Sequence, residues 1–286
     1  MIMSTHRHKY QYIPDSHTAA AKAVAMVGVN KRVLELGPGP GAVTKLLKEN
    51  DCAITALELD SQAIQVVSEY CEKVFACDLN NPEWPDLLLG TDKFDVIVAT
   101  DVLEHLYDPW ETLKKLHGLM STEGYLVISV PHIGHNAVVA CLLRGDFEYQ
   151  PRNLLDKTHI RFFAIKNVQK LFNDADFKII EASFVIKTPE QTEFARHWRS
   201  LSSETRATLN ASNPYGAIYQ IVIKAVPMCA QGEGLKLMSM DIPVPGNGGY
   251  SVGARGSRVL GFILSYINLR TRDKIVAFIE KLGLKL

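Results

Sequence analysis

The 286 residues carry 31 basic and 31 acidic side chains, so the formal net charge is zero, and 47% of the chain is hydrophobic. That balance excludes a disordered chain and argues against a nucleic-acid backbone as the main partner. The polar start MIMSTHRHKYQY lacks a signal-peptide core, no run reaches the ~18–20 apolar residues of a membrane span, and five cysteines without C-x-x-C spacing point to reduced thiols and a cytoplasmic location.

From about residue 17 to 226, strand and helix patterns alternate, as in a parallel α/β sheet. Asp15 and Ser16, after Pro14, are placed to cap a first helix that runs to about Val27. RVLEL is a first strand, followed by a glycine-rich turn and the helix AVTKLLKEN. AITALEL is the second strand, SQAIQVVSEYCE the second helix and KVFACDL the third strand. FDVIVATDV is nearly all apolar, as a strand buried on both faces should be. PWETLKKLHGLM is helical, and GYLVISVP is a fifth strand stopped by Pro131. From His132 to Phe163 there are few clear periods. IKNVQKLFNDADF is a helix, with Val168, Leu171 and Phe172 at helical spacing. FKIIEASFVI and AIYQIVIKAV close the series as strands, separated by the polar helical insert TEFARHWRSLSSETRATL. The expected fold is a doubly wound, mostly parallel seven-stranded sheet with helices on both faces.

At Pro227 the composition changes. Gly232, Gly234, Pro243, Pro245, Gly246, Gly248, Gly249, Gly253 and Gly256 mark residues 227–256 as a flexible linker between a domain at 1–226 and a helical tail at 257–286. From Ala254 to the end, Arg255, Arg258, Arg270, Arg272, Lys274, Lys281 and Lys285 outnumber Asp273 and Glu280, beside an apolar Val/Leu/Ile/Phe stripe. Such a helix either packs its apolar face on the domain or a second subunit, or lies against anionic lipid.

The first motif is VLELGPGPG, Val33 to Gly41. Glycine permits positive φ and lets the backbone approach a ligand without a Cβ in the way. Gly37, Gly39 and Ala42 fit a dinucleotide G-x-G-x-x-G/A turn loosely, which keeps a nicotinamide-dependent oxidoreductase open as an alternative. Glu35, on the strand just before, instead favours a cationic ligand and repels pyrophosphate. Glu58 ends the second strand, where a carboxylate can accept both hydroxyls of a ribose, while Asp60 is better placed to cap the next helix.

Glu35 to Gly41 resembles the first motif of the class I S-adenosylmethionine-dependent methyltransferases, hh[DE]-x-G-x-G-x-G, which have a Rossmann-like fold. The resemblance implies that Glu35 lies near the methionyl ammonium, that Gly37, Gly39 and Gly41 pass under the methionine and ribose, and that Glu58 holds the ribose. It implies that Asp78 accepts from the adenine amino group, with Leu79 packing on the ring or donating its N–H. FDVIVATDVLEHL, Phe94 to Leu106, is similar to the fourth-strand motif of the branch with quinone-biosynthesis, natural-product and sugar methyltransferases. Ala99 and Thr100 would line the cofactor by backbone. Glu104 and His105 would shape the helix start and cofactor pocket or take part in catalysis.

A hydroxyl acceptor needs a base, and histidine suits that role near neutral pH. Past the fifth strand, His132, His135 and His159 occur with Asp156, Arg144, Arg152 and Arg161. The segment resembles a subgroup common in bacterial surface-polysaccharide gene clusters, with the pattern S-V-P-N-x-x-H … L-D-x-T-H-x-R-F-F-T. Here His132 stands for the usual asparagine and Ala164 for the final threonine. His159 is the expected base, with His135 next and Asp156 as orienting carboxylate. Arg161 can instead make a structural ion pair. A metal held by Asp101, Asp156 and His159 is conceivable, but no close pair of ligands is evident and none is expected. The expected function is S-adenosylmethionine-dependent O-methylation of a sugar or other small hydroxylated acceptor, glycans included. A non-catalytic cofactor-binding module is the remaining alternative.

Overall fold

The computed structural model describes residues 18–243. Helix α1 (Ala19–Val27) leads to β1 (Arg32–Leu36), α2 (Ala42–Glu49), β2 (Ala53–Glu58), α3 (Ser61–Val67) and β3 (Lys73–Ala76). Then follow β4 (Phe94–Thr100), α4 (Pro109–Leu116), β5 (Met120–Pro131), α5 (Asn136–Leu143), α6 (Ile165–Asp174) and β6 (Phe177–Ile186). Two short helices, α7 (Ala195–Arg199) and α8 (Ser203–Ser212), precede β7 (Ile218–Pro227).

The seven strands form one sheet in the order β3-β2-β1-β4-β5-β7-β6. Strands β1 to β5 are parallel, and β7 runs antiparallel to both its neighbours. The expected Rossmann-like, mostly parallel sheet is therefore the fold. Side chains alternate across a strand, so each central strand feeds two cores. Val33, Val96, Val98 and Val127 join Ala23 and Val27 of α1 and Leu47 of α2 on one face. Leu34, Leu36, Ile97 and Ala99 join Leu113 of α4 and Val168, Leu171 and Phe172 of α6 on the other.

Several boundaries differ from the sequence reading. Thr18 caps α1 by accepting from the Ala21 N–H at 3.2 Å, whereas Asp15 and Ser16 lie outside the described residues. Asp60 caps α3 as expected, accepting from Gln62 N–H at 2.9 Å. Helix α5 occupies the stretch without clear period, because NAVVACLL is apolar nearly all round. The polar insert is two helices rather than one, broken at Ser200–Ser202, and α8 is capped by Ser202.

The linker reading also needs correction at its start. Residues 228–243 run along the sheet edge, where Leu235 N–H donates to Ile179 O at 2.6 Å and Leu237 N–H to Gln169 Oε1 at 2.9 Å. Leu237 is fully buried. The rest of the linker and the tail at 257–286 lie outside the described residues. Among the described residues, no helix is long and apolar enough to cross a membrane.

Candidate active site

Parallel strands deliver their carboxyl ends to one edge of the sheet, where open α/β sheets bind ligands. Leu36 of β1 lies opposite Leu57 of β2 and Ala99 of β4, so Glu58 and Thr100 emerge on either side of the glycine turn. The turn is closed by Gly37 N–H donating to Leu57 O at 2.8 Å. Gly37, Gly39 and Gly41 all have positive φ, at 59°, 53° and 79°. A Cβ on Gly37 would sit 3.0 Å from Val102 Cγ2, and one on Gly41 3.0 Å from Val67 Cγ1. A Cβ on Gly39 would meet no atom within 4 Å, so the central glycine faces open space. Gly41 caps α2 without a side chain, which leaves the first-turn N–H groups of that helix to a ligand.

Glu35 lies under this turn, 1% exposed, and neither carboxylate oxygen has a hydrogen-bond partner among the described residues. Burial raises its pKa from 4.5 to about 7, with the neighbouring Thr44 hydroxyl working against that shift and the Glu58 charge adding to it. The Thr44 hydroxyl, fully buried, likewise lacks a hydrogen bond of good geometry. A buried carboxylate without partners is costly. A cation arriving at the turn would offset that cost.

Glu58 is better satisfied. Its Oε2 accepts from Gly39 N–H at 2.8 Å, and its Oε1 accepts from Leu59 and Asp60 N–H at 2.7 and 2.8 Å. A carboxylate offers about four acceptor sites, so a grip on two ribose hydroxyls requires the Gly39 bond to be shared or released. Asp78, at the end of β3, is exposed and accepts from Asn80 N–H at 2.8 Å. Its loop is tied to the β4 exit by Tyr107 N–H donating to Asn80 Oδ1 at 2.7 Å. Leu79 packs half-buried on the core, Ala99 is fully buried and Thr100 partly open. Glu35, the three glycines, Glu58, Ala99 and Thr100 thus share one strand edge, with Asp78 and Leu79 at its outer end.

The expected acceptor-side histidines separate into two kinds. His135 is fully buried at the start of α5. Its Nδ1 accepts from Ala137 N–H at 3.1 Å and its Nε2 donates to Lys187 O at 2.9 Å, so the ring is a helix cap with both nitrogens committed to backbone. Burial lowers its pKa to about 4, and the same holds for His132, whose Nδ1 lies 3.2 Å from Ile218 O. His135 therefore leaves the list of candidate bases.

His159 is different. Its segment is docked onto the β4 exit by Ile160 and Arg161 N–H groups, which both donate to Glu104 O, at 2.9 and 3.0 Å. Asp156 shapes the turn that presents it. Asp156 Oδ1 accepts from Thr158 N–H and Oγ1, and Asp156 O accepts from His159 N–H at 3.0 Å. The carboxylate aligned with the ring is Glu104, whose Oε1 lies 3.9 Å from His159 Nε2. This corrects the orienting role expected of Asp156, which acts on the backbone of the turn. Asp101 accepts from Ser129 Oγ and Gln220 Nε2, which gives it a structural task. Arg161 reaches Tyr107 O with its guanidinium, a hydrogen bond in place of the expected ion pair.

Glu104 is the residue whose importance the sequence reading undervalued. It is fully buried, and neither oxygen has a hydrogen-bond partner among the described residues. Burial holds its pKa well above the usual carboxylate range, reinforced by the charges of Asp101 and Asp156. Glu104, His105 and His159 bring their ligating atoms within 4.8 Å of one another, close enough to hold a divalent ion. His105 turns its Nδ1 to Thr158 O at 3.1 Å, and the two rings meet edge to face at 4.9 Å. The E-H pair was visible after the fourth strand, but its closeness to His159 is a long-range contact that no local spacing encodes.

Comparison with known proteins identifies the family and the fold. A family model described as a methyltransferase domain matches residues 6–182. A ubiquinone biosynthesis O-methyltransferase of Coxiella burnetii is 23% identical over 171 residues, covering 57% of this chain and 70% of that protein. A solved S-adenosylmethionine-dependent methyltransferase of Thermotoga maritima, described as a possible histamine N-methyltransferase, superposes with a TM-score of 0.50 at 16% identity, covering 73% of this chain and 88% of that one. The chain belongs to the methyltransferase-domain family and has the fold of the class I S-adenosylmethionine-dependent enzymes.

Proposed function

We propose that this chain methylates an oxygen of a sugar or other small hydroxylated acceptor, with S-adenosylmethionine as cofactor and His159 as general base. The observation that carries the cofactor assignment is Glu35, a buried carboxylate with no hydrogen bond of good geometry and no counter-charge among the described residues, beneath a glycine turn that faces open space. An ammonium would supply the missing counter-charge there, whereas a pyrophosphate would meet both Glu35 and Glu58. When bound, S-adenosylmethionine supplies an electrophilic methyl carbon. Glu35 would face its ammonium, Glu58 its ribose, Asp78 and Leu79 its adenine, and the backbone of Ala99 and Thr100 would line its sulfonium side. Those residues orient the ligand and exclude water, which is the protein's main contribution to an in-line transfer.

The acceptor proton is the chain's other task. His159 Nδ1 faces Leu154 O at 3.3 Å and so carries its hydrogen, which makes Nε2 the basic nitrogen. Glu104 stands 3.9 Å from that nitrogen. The acceptor proton would pass to Nε2, and a carboxylate at Glu104 would stabilise the imidazolium so formed. The unsatisfied carboxylate of Glu104 also supports a second reading, in which a divalent ion on Glu104, His105 and His159 lowers the acceptor's pKa as a Lewis acid.

A cofactor-turnover assay over nucleotide sugars, lipid-linked sugars, quinone precursors and phenols identifies the acceptor. On that acceptor, His159→Ala is expected to keep cofactor affinity by calorimetry and lose ~10²–10⁴ in rate. Unchanged turnover removes His159 from the base role. Loss of turnover on chelation, restored by added metal, selects the second reading. Binding of a nicotinamide dinucleotide in place of S-adenosylmethionine would overturn the cofactor assignment.

A further inference from the structure

A second cluster of ligating side chains lies on the α5–α7 face. We propose that Cys141, Asp146 and His197 form a binding site for a zinc-class divalent cation that ties the end of α5 to α7. Their ligating atoms, a thiol sulfur, a carboxylate oxygen and an imidazole nitrogen, lie within 4.8 Å of one another.

Local structure explains the convergence. After α5 the chain reverses at Gly145, whose φ is 72°. Arg144 and Asp146 N–H groups both donate to Cys141 O, at 3.0 and 3.1 Å, and this folds the Asp146 side of the loop back over the cysteine. His197 sits on α7, one turn after the fully buried Phe194, and its N–H donates to Phe194 O at 3.0 Å. Two chain segments, the end of α5 with its following turn and α7, therefore bring the three ligands together.

The donor set favours zinc over magnesium or calcium. A thiolate and an imidazole are soft and borderline ligands, and hard cations prefer all-oxygen sites. Charge points the same way. His197 Nε2 lies 3.7 Å from Asp146 Oδ2 and 3.0 Å from Glu148 Oε2, and the cation facing this group is Arg196, paired with Glu148. A thiolate at Cys141 would add a further negative charge to that set, which a divalent cation neutralises. Cys141 is fully buried, whereas Asp146 is 43% exposed, so an ion can enter past the aspartate. A tetrahedral zinc site has ligand–ligand distances of about 3.4 Å, so the donors must close by roughly 1 Å. The exposed Asp146 side chain supplies most of that movement, and Glu148 stays with Arg196 beside the open fourth position. On binding, the Cys141 S–H bond breaks and its proton leaves to solvent, the sulfur donates to the metal, and the His197 hydrogen resides on Nδ1.

Cobalt(II) and zinc(II) titrations of the chelator-stripped full chain test the site. Cobalt is expected to give a thiolate-to-metal charge-transfer band at one equivalent, displaced by zinc. Cys141→Ser and His197→Ala should abolish the band. His159→Ala should retain it, which separates this site from the Glu104 cluster. Zinc should raise the melting temperature of the wild type and leave that of His197→Ala unchanged. Absence of the band in the wild type, or its survival in Cys141→Ser, overturns the proposal. If Cys141→Ser does not fold, His197→Ala and Asp146→Asn carry the same test, and a band of undiminished affinity in both overturns it.

Discussion

The cofactor edge and the acceptor edge of this sheet are built on different principles. At the cofactor edge, β1, the glycine turn and α2 are contiguous in sequence, and the turn works through backbone conformation. At the acceptor edge, three histidines of similar appearance are separated by their long-range partners. His132 and His135 are bound to the backbone of β7 and of the loop after β6, while His159 lies against the buried Glu104. A residue type in a suggestive place is thus weak evidence until its hydrogen-bond partners are known, whereas a glycine turn after a strand marks a ligand edge and gains specificity from the local acids Glu35 and Glu58.

The contrast can be broken first at the histidines. His159→Ala should cost the ~10²–10⁴ in rate stated above and little stability. His135→Ala should do the opposite. It strands Ala137 N–H and Lys187 O in a buried site, at a cost of about 2–4 kcal/mol in unfolding free energy, with turnover of the folded fraction preserved. Denaturant melts and steady-state rates on both variants decide. Equal behaviour of the two would erase the distinction.

At the cofactor edge, Gly39→Val should weaken cofactor binding by about 3 kcal/mol or more, roughly 100-fold, as read by calorimetry. The fold should survive with a strain of about 1–2 kcal/mol, because a Cβ there meets no protein atom within 4 Å. Wild-type affinity in that variant would remove the glycine turn from the binding site.

Glu35 gives a pH signature of about 3 kcal/mol. Its carboxyl is raised from 4.5 to about 7 in the folded protein, so the folded state holds the proton more tightly than the unfolded state. The stability this contributes is full below the unfolded value and is lost as pH rises through about 7. Glu35→Gln should flatten that fall between pH 5 and 8, melt above the wild type at pH 8, and still bind cofactor more weakly. A variant that melts lower at pH 8 contradicts a strained carboxylate. The smallest expected effect is at Asp60, where Asp60→Ala removes the α3 cap and costs about 1 kcal/mol with cofactor affinity nearly unchanged.

The strands were legible because apolar runs bounded by glycine, proline and charge have few other stable uses. Helix α5 was not, since an apolar helix covered by α7 and the sheet shows no polar stripe. Residues 228–243 looked like a linker by composition, yet hydrogen bonds to β6 and α6 and the burial of Leu237 hold them in place. Asp156 looked like a histidine partner, and its neighbour Thr158 took the carboxylate instead.

By itself, the sequence determined the order of the seven strands and of the helices as far as β5, the glycine turn preceded by Glu35, and the acid at the end of β2. These depend on period, φ preference and near neighbours in the chain, which are local physics. The tertiary structure decided which histidine lies against Glu104, that Glu104 is buried with no hydrogen-bond partner among the described residues, and that Cys141 meets His197. Those outcomes depend on desolvation and on partners distant in the chain, and they arise only when the sheet edge and its helices are assembled.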